Sequence, residues 1–174
     1  EQLVLKEGAT FGTGDFTIEF WLYMYDITSQ DYWCLFDNRT GAADTNAFGF
    51  FMRGSAESPN GAFYVYCNGN NLFGQVAKNK TWHHVALVRA SDSLNCFLDG
   101  NPGSPVTLNN DLSAKNDVAI GWPPFAPTNY RLNGKMSDIR VVKGEALCTD
   151  NFNPFNRPAS ADISGTVVLD LSPK

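Results

Sequence analysis

The residues able to do chemistry in this chain are few, and their spacing works against most reactions. Cleaving a glycosidic bond takes two carboxyl groups about 5 to 9 Å apart, one as acid and one as nucleophile or base. Asp15 and Glu19 share a face of one alternating segment with Thr17 between them, which separates them by about 13 Å along a strand. That is too far for either mechanism. Asp15 reads as a turn residue and Glu19 as a solvated face residue. The only histidines, His83 and His84, are adjacent, and on a strand neighbouring side chains point to opposite faces, so they cannot chelate one metal together. Cys34, Cys67 and Cys96 fall inside apolar runs, away from the strained elbows and helix N-termini that activate nucleophiles. The chain carries no phosphate loop, dinucleotide fingerprint or HExxH motif. It reads as a non-enzyme.

Binding chemistry is better represented. Calcium needs hard oxygen ligands in loops, and Asp37 and Asn38 are the candidate metal contacts, with Asp44, Asn46, Asp92 and Asp99 as further loop or strand-end oxygens. The competing reading is turn chemistry, since Asp and Asn bond their own backbone in turns. Sugars are bound on aromatic platforms with a few hydrogen-bonding side chains. Trp122, Phe125, Tyr130 and Trp33 could supply one; Trp122 and Phe125 lie in a Pro- and Gly-rich loop over 121–129, where they either face a ligand or plug the end of the core. Trp21 and Trp82 read as core. Asn38-Arg39-Thr40 and Asn79-Lys80-Thr81 match the N-glycosylation acceptor pattern.

These residues sit on an all-β framework. Phe16, Ile18, Phe20, Leu22 and Met24 alternate with Thr17, Glu19, Trp21, Tyr23 and Tyr25, so the first set predicts a core face and the second an outer face partly covered or touching a ligand. Further strands are expected over 32–37, 48–53, 62–67, 72–76, 83–89, 94–99, 117–121, 134–142 and 167–171. Asn68-Gly69, Asp99-Gly100 and Asn133-Gly134 tolerate positive φ and predict hairpin turns. Residues 166–171 are expected to return and pair near the N-terminal strand. Asp138 and Arg140 are expected on one strand face, tying it to a neighbouring loop. No window sustains a 3.6 period, and the turn near 145–148 is too short for a helix. The fold class is an antiparallel two-sheet β-sandwich of jelly-roll type.

The 174 residues are 43% hydrophobic and 18% charged, which suits one folded domain over 1–174. A formal net charge of -5 without a basic stripe speaks against nucleic acid and anionic membranes. No stretch could span a bilayer and no signal peptide is visible; the start at Glu1 reads as a processed product or a piece of something longer. Cys34, Cys67, Cys96 and Cys148 lack any CxxC pairing, and a core of this size needs no staple, which favours buried free thiols over disulfides.

Three stretches in order, 14–21 (GDFTIEFW), 82–89 (WHHVALVR) with 97–100 (FLDG), and 134–144 (GKMSDIRVVKG), resemble laminin-G-like domains of the concanavalin-A-like lectin and glucanase superfamily. The stretches RVVKGEAL at 140–147 and NFNP at 151–154 are similar to a subtype of bacteriophage tail fibres and other virion proteins, which has Tyr at the position of Cys148 and Pro at that of Phe155. The resemblance implies a binding or structural module on a virion or extracellular surface, with virion or cell-surface proteins and host glycans as partners, no required cofactor and calcium only as an optional one, and a homotrimer if it is a fibre tip. A capsid decoration protein without a glycan ligand and an accessory carbohydrate-binding domain of an extracellular enzyme are the alternatives.

Overall fold

A computed structural model of the chain describes residues 3–5, 10–41, 43–55, 58–67, 69–114, 116–126, 130–158 and 163–170. Among them the strands are β1 (Leu3–Leu5), β2 (Phe16–Met24), β3 (Tyr32–Asp37), β4 (Gly49–Arg53), β5 (Ala62–Tyr66), β6 (Asn70–Val76), β7 (Trp82–Ala90), β8 (Ser93–Leu98), β9 (Asn101–Pro102), β10 (Val106–Thr107), β11 (Val118–Ile120), β12 (Gly134–Lys143) and β13 (Thr166–Asp170). They form two antiparallel sheets. The first runs β1-β11-β3-β4-β5-β6, and the second runs β10-β8-β7-β2-β12-β13 with β9 beside β8. No helix among the described residues is long and apolar enough to cross a membrane.

The alternation in β2 decides how the sheets meet. Phe16, Ile18, Phe20, Leu22 and Met24 all point inward and join Leu35, Phe36, Phe48, Phe50, Phe63 and Phe73 in one core. Phe16 stacks on Phe48 at 5.7 Å and Phe48 on Phe36 at 5.4 Å. These offset stacks add to the burial of the rings. Trp33 belongs to this core at 2% exposure, its Nε1 donating to Ile27 O at 2.8 Å.

A second, smaller core lies outside the second sheet. The C-terminal segment after β12 crosses the outer face and packs Ala146, Cys148 and Phe152 on Ala86, Val88 and Phe97. Asp99-Gly100 places this strap. Both residues have positive φ, 52° and 79°, giving the two-residue turn between β8 and β9 whose twist suits the flanking strands. A Cβ on Gly100 would fall 1.8 Å from Phe152 O, so the strap comes down where only glycine leaves room.

Several expectations are corrected. Glu19 is not solvated; it is 3% exposed beneath the strap. Its Oε1 accepts from Arg140 Nε at 2.7 Å and from Arg140 Nη2, and its Oε2 accepts from Arg157 Nε at 2.7 Å. Arg140 does tie β12 to a loop, through Nη1 to Pro158 O at 2.6 Å, but its partner is Glu19 and not Asp138. The register shift between Ser137 and Arg140 separates the two, and Asp138 accepts from Ser137 Oγ instead. β13 pairs with β12, which pairs with β2, so the last strand does return near the first strand read from the sequence, one place away from it, and it covers the open edge of β12. Asn133-Gly134 closes no hairpin, because the chain enters β12 at Gly134 opposite Met24 after a long loop. Asn68 lies outside the described residues; on the strands that flank it Tyr66 opposes Asn70.

Candidate functional site

Alternation along β3, β4 and β5 sends Tyr32, Cys34, Phe51, Arg53, Tyr64 and Tyr66 to the outer face of the first sheet. The register aligns Cys34 with Phe51 and Phe51 with Tyr64, and Tyr32 with Arg53. Cys34, Phe51 and Tyr64 form a buried floor, with Tyr32, Tyr66 and Tyr130 packed around it. The rings are in contact: Phe51 stacks on Tyr64 at 5.5 Å, Tyr32 meets Tyr64 edge-on at 5.8 Å, and Tyr130 meets Tyr32 edge-on at 5.6 Å.

One cation is set into this surface. Arg39 is 4% exposed and its Cζ stands 5.1 Å from the Phe51 centroid, 4.8 Å from Tyr66 and 5.0 Å from Phe125. Gly49 makes the position available, since a Cβ there would come 2.7 Å from Arg39 Nη2. Asp37 holds the guanidinium from the other side, with Arg39 Nε on Oδ1 at 3.0 Å and Nη2 on Oδ2 at 2.7 Å. Burial pushes the Asp37 carboxyl above its usual value, against the pull of Arg39. A bidentate, desolvated pair of this kind fixes geometry more than it adds stability. Here it orients a guanidinium for three rings, one of them from the Pro-rich loop.

The structure therefore brings two of the expected platform residues to one surface. Phe125 lies on Arg39 and is 38% exposed. Tyr130 reaches the same face with φ at 59° and its carbonyl accepting from Cys34 N at 2.8 Å. Trp122 is half-buried in the same loop, and its Nε1 is buried with no hydrogen-bond partner. Residues 127–129 lie outside the described residues. Trp33 is excluded from any platform, because β3 turns it into the core.

Asp37 and Asn38 are corrected as metal contacts. Both Asp37 oxygens are taken by Arg39, whose charge would repel a cation. Asn38 is 0% exposed and its Oδ1 accepts from Phe48 N at 2.9 Å. Among the described residues no group of three or more His, Cys, Asp or Glu comes together as a cation site. The burial of Asn38 also removes it as a glycosylation acceptor in the folded state.

His83 and His84 do point to opposite sides. His83 Nδ1 donates to Asp99 Oδ2 at 2.7 Å while Nε2 accepts from Lys78 N at 3.1 Å, which fixes one neutral tautomer. His84 lies under the strap between Trp21 and Phe152 at 5.3 and 5.6 Å, with Nε2 3.7 Å from Glu19. Burial brings its pKa down to about 4. Trp82 is not core: it is 43% exposed beside Tyr23, and Trp21 is half-buried.

Sequence reasoning missed Tyr32, Tyr64, Tyr66, Phe51 and Arg39. The period of two was visible in Phe51/Arg53 and Tyr64/Tyr66, but which face was outward needed the partner strands.

A two-sheet jelly roll with an aromatic outer face defines a lectin-like class of domain. Residues 2–147 match the family described as Concanavalin A-like lectin/glucanases superfamily, of laminin-G type, and the chain belongs to that family. No curated protein matches it. Among solved structures it is similar to a heptameric SAP-like pentraxin from Limulus polyphemus, at 15% identity over 98% of this chain and 88% of that one, TM-score 0.63. It is similar also to domain 4 of AbnA, an extracellular arabinanase of Geobacillus stearothermophilus, in complex with arabinotriose, at 12% identity over 82% of this chain and 70% of that one, TM-score 0.61. A third is the CBM40 of a Ruminococcus gnavus sialidase bound to sialyllactose, at 12% identity over 85% and 92%, TM-score 0.59. The chain spans 42% of one matched Bacteroides ovatus chain. At these identities the likeness is one of fold.

Proposed function

We propose that the chain is a non-enzymatic carbohydrate-binding module of a larger surface assembly, and that its ligand lies on the outer face of the first sheet. The observation that carries this is the half-buried Tyr32, Tyr66 and Tyr130 and the exposed Phe125, set over a buried floor of Phe51, Tyr64 and Arg39. Aromatic rings with polar tips present a stacking surface for sugar C–H faces beside hydrogen-bonding hydroxyls, and such half-apolar rings are favoured at binding surfaces. The sugar complexes of the AbnA domain and the CBM40 support the reading. The finer assignment is host-glycan attachment on a bacteriophage virion, as in a tail fibre. It rests on the likeness of residues 140–147 and 151–154 to that subtype and carries a homotrimer with it.

A glycan array with the purified chain, in calcium and in EDTA, tests the reading. Saturable binding lost in Phe125→Ala and Tyr66→Ala supports it, and the EDTA arm decides whether calcium takes part. Absence of binding in both arms overturns it and leaves a decoration protein whose partners are its neighbours in the assembly.

A further inference from the structure

The strap over 145–158 is a packing unit of its own. Its apolar contacts are Ala146, Cys148 and Phe152 on Ala86, Val88 and Phe97, a small cluster apart from the core between the sheets. Its one regular element among the described residues is a 3-10 turn, Pro154–Asn156. Single bonds hold it in place of a strand ladder. Leu147 N donates to Thr17 Oγ1 at 2.9 Å, Thr17 Oγ1 to Glu145 O at 3.1 Å, Phe152 N to Gly100 O at 3.0 Å and Asn151 Nδ2 to Asn101 Oδ1 at 3.1 Å. A segment with so small an apolar footprint and no ladder opens at lower cost than the sheets beneath it.

His84 is the ionisable group whose burial depends on this strap. It projects from β7 and is 3% exposed. Its ring meets Trp21 of β2 edge-on at 5.3 Å and Phe152 of the strap edge-on at 5.6 Å. Lifting Phe152 takes one wall of its site away. Nδ1 is buried without a hydrogen-bond partner, and Nε2 stands 3.7 Å from Glu19 Oε2. The charged groups around the ring are Glu19 from β2, Arg140 from β12, Arg157 from the strap and Asp99 from the β8–β9 turn. Cys148 of the strap is a neutral thiol, pushed up to about 12 by burial. Both Glu19 oxygens are taken by guanidinium groups. Asp99 lies at the solvent edge, with His83 Nδ1 on one oxygen and His84 N on the other. A proton on His84 thus adds a third cation to two guanidinium groups that share one buried carboxylate, and Nδ1–H finds no acceptor in the closed site. A buried charge without a partner is costly, and opening the strap gives it water.

We propose that the strap is an acid-released latch with His84 as its trigger: protonation of His84 lifts residues 145–158 off the second sheet while both sheets stay folded. Release bares Trp21 and Phe97, and joins Trp21 to the rings of Tyr23, Trp82 and Tyr25 on the same face. The closed state lowers the His84 pKa from 6.5 to about 4. The closed strap is therefore fully favoured above pH 6.5 and loses its hold as the pH falls toward 4.

Hydrogen exchange of the whole chain, corrected for intrinsic rates, tests this. The opening constant over 145–158 is expected to rise about fiftyfold from pH 7 to 4.5, with β3 to β5 still protected. Dithiodipyridine, which labels thiols in acid, is expected to reach Cys148 faster at pH 4.5 than at pH 7 and to leave Cys34 and Cys96 unlabelled. In His84→Gln and His84→Leu the acid response of both readouts should vanish, and a thermal melt at pH 7 identifies the variants that fold. The two parent profiles carry the test by themselves if neither does. The proposal is overturned if protection falls equally over the strap and β3 to β5, if Cys148 labels no faster in acid, or if a folded His84 variant keeps the acid response, which would assign it to Glu19 or Asp99.

Discussion

Arg157 donates through Nε to Glu19 Oε2 at 2.7 Å across a separation of 138 residues. With Arg140 on the other oxygen, this carboxylate fastens the C-terminal strap to the middle of the second sheet. Arg157 also lies over Phe152, Cζ 4.5 Å from the ring centroid, so charge and packing hold the same segment.

Glu19→Ala should leave two guanidinium groups under the strap without their carboxylate. Breaking a buried pair by removing one partner costs about 3 to 5 kcal/mol. Urea denaturation of the variant beside the parent measures it, and a loss below 1 kcal/mol would show the cluster to be solvated.

His84 sets a pH dependence. Its pKa is lowered from 6.5 to about 4 by burial, so between those values the unfolded chain binds the proton and the folded one does not. Stability is then fully present above pH 6.5 and falls as pH drops toward 4, by about 3 kcal/mol in all. The difference in unfolding free energy between parent and His84→Gln, followed from pH 7 to 4.5, should narrow by most of that amount; a constant difference would refute the assignment.

The four thiols should be inert in the folded protein. All are buried, and burial raises each above its ordinary value, Cys148 to about 12. Since the thiolate is the reactive form, Ellman's reagent should label none of them within minutes at pH 8 and all of them in guanidinium chloride. Rapid labelling of one thiol in the native state would place it at the surface.

Gly100→Ala should destabilise by about 2 kcal/mol, because it meets both a positive φ and the carbonyl of Phe152. Its effect should concentrate on the strap. Hydrogen exchange over 145–158 should rise more than over β3 to β5, and uniform change across both sheets would argue against a local role.

The sequence determined the class of fold by itself. A period of two in β2, turn residues such as Asp99-Gly100, and the absence of any helical period leave two packed sheets as the way to bury Phe16, Ile18, Phe20, Leu22 and Met24. It also determined that Asp15 and Glu19 cannot act as a catalytic pair and that His83 and His84 face apart, since both follow from strand geometry alone. What it could not decide was which side of each aromatic strand stays uncovered. A strand's outer face is closed or opened by segments distant in sequence: the strap buries Glu19 and Thr17 yet stops short of Tyr25, the loop at 121–126 lays Phe125 on Arg39, and β3 turns Trp33 inward while Trp82 stays at the surface. Burial of a carboxylate or exposure of a tryptophan is a property of what packs against it, and only the tertiary structure supplies the neighbour.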